Sequence, residues 1–345
     1  MSPASSAPVT PEHLFGDLRG FAQCHASTLV PLSNGRCLAA WFAGTHEGHD
    51  DVAIWAAEGD APKGAGASAP GAHWSEARRI AKVSEEPHWN PVLFALDEAG
   101  QELVLHFKVG RRIRRWASWV QRSSDGGQHW TEARPLVPHR RGGRGAVRTK
   151  PIRLRSGDWL AGASVERWRR WDAFFDRSPD GVSDWRATAL VEVDRRRFSG
   201  KGLIQPSLWE STPGHVHAVF RSTDGRVYRS DSVDDGYDWS PARPLELPNN
   251  NSGLDVARLP DGTLALACNP VEGNWAARTP LSVLFSRDNG ETWPERIDIE
   301  TGPGEFSYPA LVARGDTLLL SYTWNRRRIA FVRVPAASRP RANHP

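Results

Sequence analysis

Six short segments of the chain concentrate side chains that hydrogen-bond or carry charge. Each lies a few residues before a turn that contains glycine, and the six begin 44 to 64 residues apart. They are Cys24–Thr28, His88–Pro91, Arg148–Pro151, Gln205–Ser207, Asn249–Asp255 and Glu305–Pro309. Imidazole, amide, guanidinium and hydroxyl groups at such repeated positions can together bind a polar ligand. We predict that the segments share one binding face, with ligand-binding residues Asn90, Lys150, Gln205, Asn251 and Asp255.

The elements that must position these segments are marked by a second pattern, Ser-x-Asp-x-Gly-x-x-Trp, here called the Asp box. Full copies occupy residues 123–130, 232–239 and 286–293, and weaker copies end at Trp74 and Trp185. The five tryptophans at 74, 130, 185, 239 and 293 are therefore 54 to 56 residues apart. A fixed period of this kind indicates a repeat architecture.

The Asp box suits a tight turn between two strands. The aspartate can accept hydrogen bonds from amides of its own turn, the glycine supplies a positive φ, and the tryptophan packs beneath as an apolar anchor. We predict a structural role for these aspartates. An EF-hand calcium loop would need more oxygen ligands and a closing glutamate.

The turns that contain glycine give a second, independent count of the repeats. Each is followed by an apolar, strand-like segment, and the six turns are Asn34-Gly35, Ala99-Gly100, Ser156-Gly157, Pro213-Gly214, Asp261-Gly262 and Arg314-Gly315. Each repeat holds about four short strands, as a propeller blade does. We predict an all-β fold, a six-bladed β-propeller of four-stranded antiparallel blades with Asp-box turns. The sixth repeat lacks a box, so we expect the N-terminal segment to supply its outer strand.

The repeats run nearly end to end and predict one domain. We assign residues 1–20 to an N-terminal lead-in, 21–334 to the propeller and 335–345 to a loose tail. Residues 60–73, rich in alanine, glycine and proline, are predicted to form a flexible loop inside the first repeat.

Composition narrows the class of partner. The net charge is +4 and the arginines occur in runs such as 111–115 and 195–197, so nucleic acid is a conceivable partner and an acidic small substrate a better one. The 16 tryptophans exceed what the boxes need, which suits a site for sugars. We predict an acidic sugar or oligosaccharide as the partner and neither nucleic acid nor membrane, and we leave the oligomeric state open.

The sequence offers no pattern for a cofactor or for secretion. We find no metal-ligand spacing, no glycine-rich phosphate loop and no Gly-x-Ser-x-Gly elbow. Three cysteines give no disulfide framework, and Met1 to Phe15 lacks the regions of a signal peptide. No apolar run approaches the ~18 residues of a membrane span. We expect a cytoplasmic protein without cofactor or metal.

The order of motifs between the boxes resembles the sialidase superfamily, over about residues 20–333. In that family three arginines bind the substrate carboxylate, a tyrosine paired with a glutamate is the nucleophile, and an aspartate is the acid/base. The matching positions are Arg221 in 220–225, Arg278 in 275–281, Tyr308 in 305–309, and Asp50 or, as we prefer, Asp51 in 48–52. The resemblance implies an exo-glycosidase that cleaves a terminal bond at a carboxylate-bearing sugar.

Two positions depart from the family pattern. His25 lies near the place of the first-blade arginine, and Gln205 stands where the family has the glutamate that polarises tyrosine. A neutral amide cannot take a proton from a phenol. The resemblance therefore implies a sialidase-like enzyme with a non-standard mechanism.

A weaker similarity points to propeller lyases that cleave next to a uronic acid. These use paired histidines, an asparagine and a basic residue, which His25, His46, Asn90 and Lys108 match. Neutral histidine can remove the proton α to a carboxylate near pH 7, and cations such as Arg221 can stabilise the enolate. Elimination by His25 or His46 is our alternative, and a non-catalytic glycan-binding propeller is our second alternative.

Overall fold

The computed structural model describes residues 10–17, 19–60, 73–140 and 142–335. Blade 1 contains β2 (Gln23–Pro31), β3 (Arg36–Gly44), β4 (Ala53–Asp60) and β5 (Arg78–Ala81). Blade 2 contains β6 (His88–Ala95), β7 (Leu103–Val109), β8 (Ala117–Ser123) and β9 (Arg134–Pro135). Blade 3 contains β10 (Ile152–Arg153), β11 (Trp159–Glu166), β12 (Trp171–Ser178) and β13 (Arg186–Ala187).

The second half repeats the arrangement. Blade 4 contains β14 (Leu203–Thr212), β15 (His215–Ser222), β16 (Arg226–Ser232) and β17 (Arg243–Pro248). Blade 5 contains β18 (Asp255–Arg258), β19 (Leu264–Cys268), β20 (Leu281–Ser286) and β21 (Glu295–Glu300). Blade 6 contains β22 (Phe306–Arg314), β23 (Thr317–Trp324), β24 (Arg328–Pro335) and β1 (Glu12–His13). A single-turn 3-10 helix spans Ile113–Arg115.

The prediction of an all-β, six-bladed propeller with four antiparallel strands per blade is confirmed. The N-terminal segment closes the ring, because Glu12 pairs with Phe331 and His13 with Ala330 on the outside of blade 6. Residues 61–72 of the predicted loop and 336–345 of the predicted tail lie outside the described residues. Within the described chain, no helix is long and apolar enough to cross a membrane.

The Asp boxes connect the third and fourth strands of their blades. In the last box the amide of Gly290 donates to Ser286 Oγ at 2.7 Å, and Ser286 Oγ donates to Asp288 Oδ1 at 2.7 Å. The amide of Thr292 closes the turn on the same carboxylate at 3.0 Å. The serine and aspartate thus form hydrogen bonds within their own turn, which is a structural role.

The innermost strands of four blades carry a β-bulge at the same place. Each bulge contains a residue other than glycine with φ between +40° and +54°, and these residues are Ala26, Asn90, Gln205 and Tyr308. Such conformations cost of order 1–3 kcal/mol each. A bulge turns side chains away from the regular alternation of the strand, and bulges are frequent beside active sites.

Amides beyond the bulges join one blade to the next. Leu93 N donates to Thr28 Oγ1 at 3.0 Å between blades 2 and 1, and Val256 N donates to Ser207 Oγ at 2.9 Å between blades 5 and 4. Ala26 N donates to Thr323 Oγ1 at 3.0 Å, where the first blade meets the last. Short polar side chains of the inner strands, together with Thr323 of the second strand of blade 6, therefore join neighbouring blades.

Asp255 is the centre of the largest such contact. Its carboxylate, in a residue 2% exposed, accepts from Lys150 Nζ at 3.0 and 3.1 Å, from Ser207 Oγ at 2.7 Å and from Leu311 N at 2.8 Å. These partners come from blades 3, 4 and 6, while Asp255 belongs to blade 5. One buried carboxylate thus ties four blades in the channel.

We predict that Asp255→Ala destabilises the fold by about 3 kcal/mol, because it removes the counter-ion of Lys150 and leaves two further donors without an acceptor. Urea unfolding followed by circular dichroism measures the change. Glu246→Ala, which removes a carboxylate from the surface, is the matched control and leaves the midpoint in place. Equal midpoints for the two variants would contradict the role given to Asp255.

Candidate functional site

One face of the propeller collects the starts of the inner strands and the ends of the second strands. The pairing of Gln23 with Gly44 and of Phe306 with Trp324 shows this arrangement in blades 1 and 6. The Asp boxes lie at the opposite ends of the third strands. The sequence-predicted residues His25, Gln205, Tyr308 and Arg221 therefore share the face without boxes.

Tyr308 lies at the middle of this face among three guanidinium groups. The Cζ atoms of Arg148, Arg221 and Arg278 are 5.2, 5.6 and 5.6 Å from the centroid of its ring. Arg221 Nη1 donates to the Tyr308 hydroxyl at 2.8 Å. The ring is partly exposed and its backbone φ is +53°. A strained, partly exposed tyrosine with a cation at its oxygen has the features of a reactive residue.

Arg221 is 2% exposed, and several hydrogen bonds hold its side chain in place. Its Nε donates to Asn251 Oδ1 at 3.0 Å, its Nη1 also donates to Gln205 Oε1 at 3.2 Å, and its Nη2 donates to the Asn251 carbonyl. Gln205 and Asn251, both predicted as ligand-binding residues, thus orient this arginine. Gln205 is an acceptor here and leaves the guanidinium charge unneutralised.

Arg148 is a second buried arginine with neutral partners. Its Nη2 donates to the carbonyls of Tyr308 and Pro309 at 2.5 and 2.8 Å. Burial lowers the pKa of Arg148 to about 10, and the negative charge of Asp255 offsets part of this effect. Among the described residues neither Arg148 nor Arg221 forms an ion pair. Two positive charges therefore lie beside Tyr308 without a carboxylate in contact, a state that an anionic ligand would relieve.

Arg278 and Arg326 share one carboxylate. Arg278 Nη1 donates to Glu305 Oε1 at 2.7 Å and to Ser307 Oγ at 3.3 Å, while Arg326 Nε donates to both oxygens of Glu305 at 3.0 and 3.2 Å. Arg326 also pairs with Glu47. Arg326 was not predicted as a site residue, and the only feature of the sequence that marks it is the arginine run 326–328.

His25 packs directly against Tyr308. The two ring centroids are 4.3 Å apart, and His25 is 3% exposed. Its Nδ1 is buried without a hydrogen-bond partner in the structure. Burial, followed by the charges of Arg326 and Arg278, lowers the pKa of His25 well below its usual value. The imidazole is therefore neutral at pH 7 and can accept a proton.

The loop between β3 and β4 places its acidic residues in other contacts. Asp51 accepts from Thr45 N at 3.0 Å, from Thr45 Oγ1 at 2.7 Å and is bonded to His49 Nδ1 at 2.8 Å. Burial raises the pKa of Asp51, but the bonds from Thr45 and His49 bring it below the usual value. Arg111 donates to Asp50 at 2.9 and 2.7 Å and lowers the pKa of that carboxyl. Both aspartates are therefore ionised, and Asp51 caps the loop.

His46 belongs to the same loop and is exposed. Together with His25, Glu47 and Arg326 it lines a narrow crevice that has no space for a water molecule. The two histidines of the alternative hypothesis therefore lie on one crevice.

Three predicted residues, Lys108, Lys150 and Asp255, turn away from Tyr308. Lys150 and Asp255 pair with each other in the channel, as described above. Lys108 is fully buried between blades 2 and 3, where its Nζ donates to the carbonyls of Arg144 at 3.2 Å and Ala146 at 2.8 Å, and burial lowers its pKa to about 7. Asn90 is 7% exposed at the bulge of β6.

Glu166, at the end of β11, is a carboxylate that sequence reasoning missed. A Cβ on Gly162 would meet the carbonyl of Pro206, so by strand alternation Glu166 also faces the inner strand of blade 4. It is partly buried and has no hydrogen-bond or ion-pair partner among the described residues. Burial raises the pKa of Glu166, while the charges of Arg221 and Lys201 oppose the rise. No motif surrounds it, so the sequence alone gave no signal.

No metal centre is apparent in the parts of the chain that the structure describes, since no three His, Cys, Asp or Glu side chains are grouped to bind an ion. The chemistry available at this face is that of a tyrosine, a neutral histidine, a free carboxyl and a cluster of arginines.

Comparison with solved structures shows the same fold in distant proteins. A protein of unknown function from Dyadobacter fermentans is 17% identical, with a TM-score of 0.75 over 95% of this chain and 98% of its own. The Hadza microbial sialidase Hz136 is 14% identical, with a TM-score of 0.77 over 95% of this chain and 69% of its own. The NanB sialidase from Streptococcus pneumoniae is 13% identical, with a TM-score of 0.72 over 96% of this chain and 71% of its own.

Comparison of sequences gives a complementary result. No curated protein matches the chain significantly. The family of BNR repeat-like domains matches residues 35–320, which is most of the propeller. The resemblance predicted from the Asp boxes is thereby confirmed, and the chain belongs to the BNR repeat-like domain family of sialidase-fold propellers.

Proposed function

We propose that this protein is a carbohydrate-active enzyme that cleaves the terminal bond at a carboxylate-bearing sugar, with Tyr308 at the reacting centre. The observation that carries the proposal is that Arg148 and Arg221 lie beside Tyr308 without an ion-pair partner among the described residues, with Arg278 on the same ring. A site with surplus positive charge around a strained tyrosine favours a negatively charged substrate. The sialidase fold of the distant neighbours supports the same class of substrate.

In this proposal the arginines bind the sugar carboxylate. Arg278 and Arg221 offer planar donors that match a carboxylate, and Arg326 adds a third charge from blade 6. Tyr308 Oη attacks the anomeric carbon, and the bond from that carbon to the leaving oxygen breaks. Water later displaces tyrosine and releases the free sugar. A phenol oxygen approaches a carbon beside a carboxylate with less repulsion than a carboxylate nucleophile would meet.

The proton of Tyr308 needs an acceptor, which Gln205 cannot be. We assign that role to His25, whose neutral ring lies 4.3 Å from that of Tyr308. Burial is the main cause of the lowered pKa of His25, and the arginine charges lower it further. The substrate carboxylate would offset the arginine charges, which makes His25 a stronger base when substrate is bound.

The leaving oxygen needs a proton donor. We assign this role to Glu166 in preference to Asp51, because Asp51 is ionised and bound to Thr45, whereas Glu166 has a raised pKa and no partner among the described residues. A carboxyl that stays protonated at higher pH is the better general acid.

Elimination next to a uronic acid is the second candidate, favoured by His25 and His46, which line the same narrow crevice. There His25 takes the proton α to the carboxylate, the arginines stabilise the enolate, and a carbon–carbon double bond forms as the bond to the leaving oxygen breaks. The leaving oxygen takes its proton from Tyr308 or His46. The product is an unsaturated uronate in place of a free saturated sugar.

Tyr308→Phe separates these possibilities from simple binding. For wild-type protein with a panel of sialic acid, ulosonic acid and uronate glycosides, we expect release of a saturated acidic sugar, identified by mass spectrometry. Loss of the nucleophile lowers kcat at least ~10³-fold. Tyr237→Phe, on an Asp-box turn of the opposite face, keeps wild-type activity. An unsaturated product would establish elimination, and binding without turnover would leave a glycan-binding propeller.

Glu166→Gln tests the general acid through its pH dependence. Only protonated Glu166 can donate, so wild-type kcat falls as pH rises through its raised pKa. In the variant this fall of kcat with rising pH is absent. Its kcat is about 10²–10⁴-fold lower on sugar leaving groups, and the loss is smaller on acidic phenol leaving groups, which need no proton. Exposed Glu192→Gln is the matched control. A variant that retains the wild-type pH profile would remove Glu166 from the mechanism.

A further inference from the structure

The hairpin between β14 and β15 carries a serine beside a buried histidine, on the face opposite Tyr308. Ser211 Oγ is 2.8 Å from His217 Nε2, and His217 Nδ1 is 2.6 Å from Asp231 Oδ1. A hydroxyl, an imidazole and a carboxylate bonded in this order are the arrangement by which serine hydrolases activate their nucleophile. The site around Tyr308 makes no use of these three residues.

The tautomer of His217 is fixed by its neighbours. Trp209 Nε1 donates to Asn289 Oδ1 at 2.8 Å, which directs the amide nitrogen of Asn289 to His217 Nε2 at 3.1 Å. Because Nε2 accepts, the single proton of the neutral ring lies on Nδ1, which donates it to Asp231. In this tautomer Nε2 can take the proton of a serine hydroxyl.

The carboxylate and the imidazole are both held in place. Arg229 Nε donates to Asp231 Oδ1 at 2.8 Å, and Arg229 Nη2 lies 3.1 Å from His217 Nδ1. Burial raises the pKa of Asp231, but the hydrogen bonds from His217 and Arg229 bring it below its usual value. The indole of Trp209 stacks on the imidazole with 5.1 Å between ring centroids. Asp231 is therefore ionised, and the ring that it orients cannot easily turn.

Ser211 is the point at which this network reaches solvent. His217 is 7% exposed, whereas Ser211 is partly exposed and the two residues that follow it are exposed. The strand register shifts between Glu210 and Thr212, so Ser211 is the extra residue of a β-bulge, a feature frequent beside active sites. The carbonyl of His215, its other acceptor, is 3.5 Å away, so the hydroxyl donates to the imidazole.

We propose that Ser211, His217 and Asp231 form a second catalytic site, which hydrolyses esters of short acyl groups. It is independent of the function proposed for Tyr308. The serine lies on an open turn, so the site suits a small acyl group on an exposed alcohol. A long acyl chain would need an enclosed apolar cavity beside the nucleophile.

The reaction proceeds through an acyl-enzyme. Ser211 Oγ attacks the carbonyl carbon of the ester, and its proton passes to His217 Nε2. His217 gives this proton to the alcohol oxygen as the carbon–oxygen bond breaks, which leaves an acyl-serine. Water, deprotonated by His217, then attacks the acyl-serine, and the proton returns to Ser211 Oγ as the free acid leaves. While Nε2 is protonated it no longer accepts from Asn289, whose amide N–H can then donate to the oxyanion.

Labelling of the full chain with a fluorophosphonate, followed by mass spectrometry of its peptides, tests the nucleophile. For wild-type protein we expect an adduct on Ser211 and hydrolysis of p-nitrophenyl acetate with an initial burst. Ser211→Ala loses the adduct and lowers kcat/KM at least ~10³-fold, and Asp231→Asn, which permits the other tautomer, lowers kcat by a similar factor. Ser156→Ala, at the equivalent turn of blade 3, is the matched control and keeps wild-type values.

The absence of an adduct on Ser211, or equal rates of acetate ester hydrolysis by wild-type protein and Ser211→Ala, would exclude the second site. The hydrogen bonds of His217 would then serve only the contact between blades 4 and 5. Neither result bears on cleavage at Tyr308, which is measured with acidic sugar glycosides.

Discussion

The hydrogen bond from Arg221 to the Tyr308 hydroxyl joins two blades that are not neighbours in the ring. Arg221 ends the second strand of blade 4, and Tyr308 lies in the inner-strand bulge of blade 6. The contact requires the ring to be closed and the bulge to turn Tyr308 towards the axis. Everything proposed for the site depends on this convergence, because no single blade contains both the reactive oxygen and its cation.

The charge distribution explains why this face suits an anion. In the channel, Lys150 is neutralised by Asp255, and at the rim Arg278 and Arg326 share Glu305. Within the described parts of the chain, Arg148 and Arg221 donate hydrogen bonds to carbonyl, amide and phenol oxygens and to no carboxylate. Burying charge without a counter-ion costs free energy that a well-packed neutral core would avoid. The proposed substrate supplies the negative charge that these two arginines lack.

The sequence predicted the architecture because turn chemistry and the tryptophan period are local signals, and it predicted Arg221, Arg278, Tyr308, His25, Gln205 and Asn251 for one face, where they lie. Lys108, Lys150 and Asp255 make contacts between blades, Lys108 with the carbonyls of Arg144 and Ala146 and Lys150 with Asp255. These contacts depend on how the blades pack together, which no local sequence pattern reveals. Glu166 and Arg326 lie at or beyond strand ends, in segments outside the repeated pattern. Their importance arises only from the folding of each hairpin onto its neighbour.

The polar residues of the chain fall into two groups, one that stabilises the ring and one that surrounds Tyr308. Those of the Asp boxes and the inter-blade contacts satisfy one another and build the ring, whereas those around Tyr308 leave charge and proton-transfer capacity unused. The separation places the Asp-box turns on one face and the chemistry around Tyr308 on the other, as loops at one end of a rigid scaffold commonly do.

A crystal structure of Tyr308→Phe protein soaked with an acidic monosaccharide would show whether the arginines around residue 308 bind the sugar carboxylate. We predict the sugar carboxylate within about 2.7–3.1 Å of the guanidinium nitrogens of Arg221 and Arg278, with the anomeric carbon over the aromatic ring of residue 308. A carboxylate bound away from these arginines, or an empty face at saturating sugar, would contradict it.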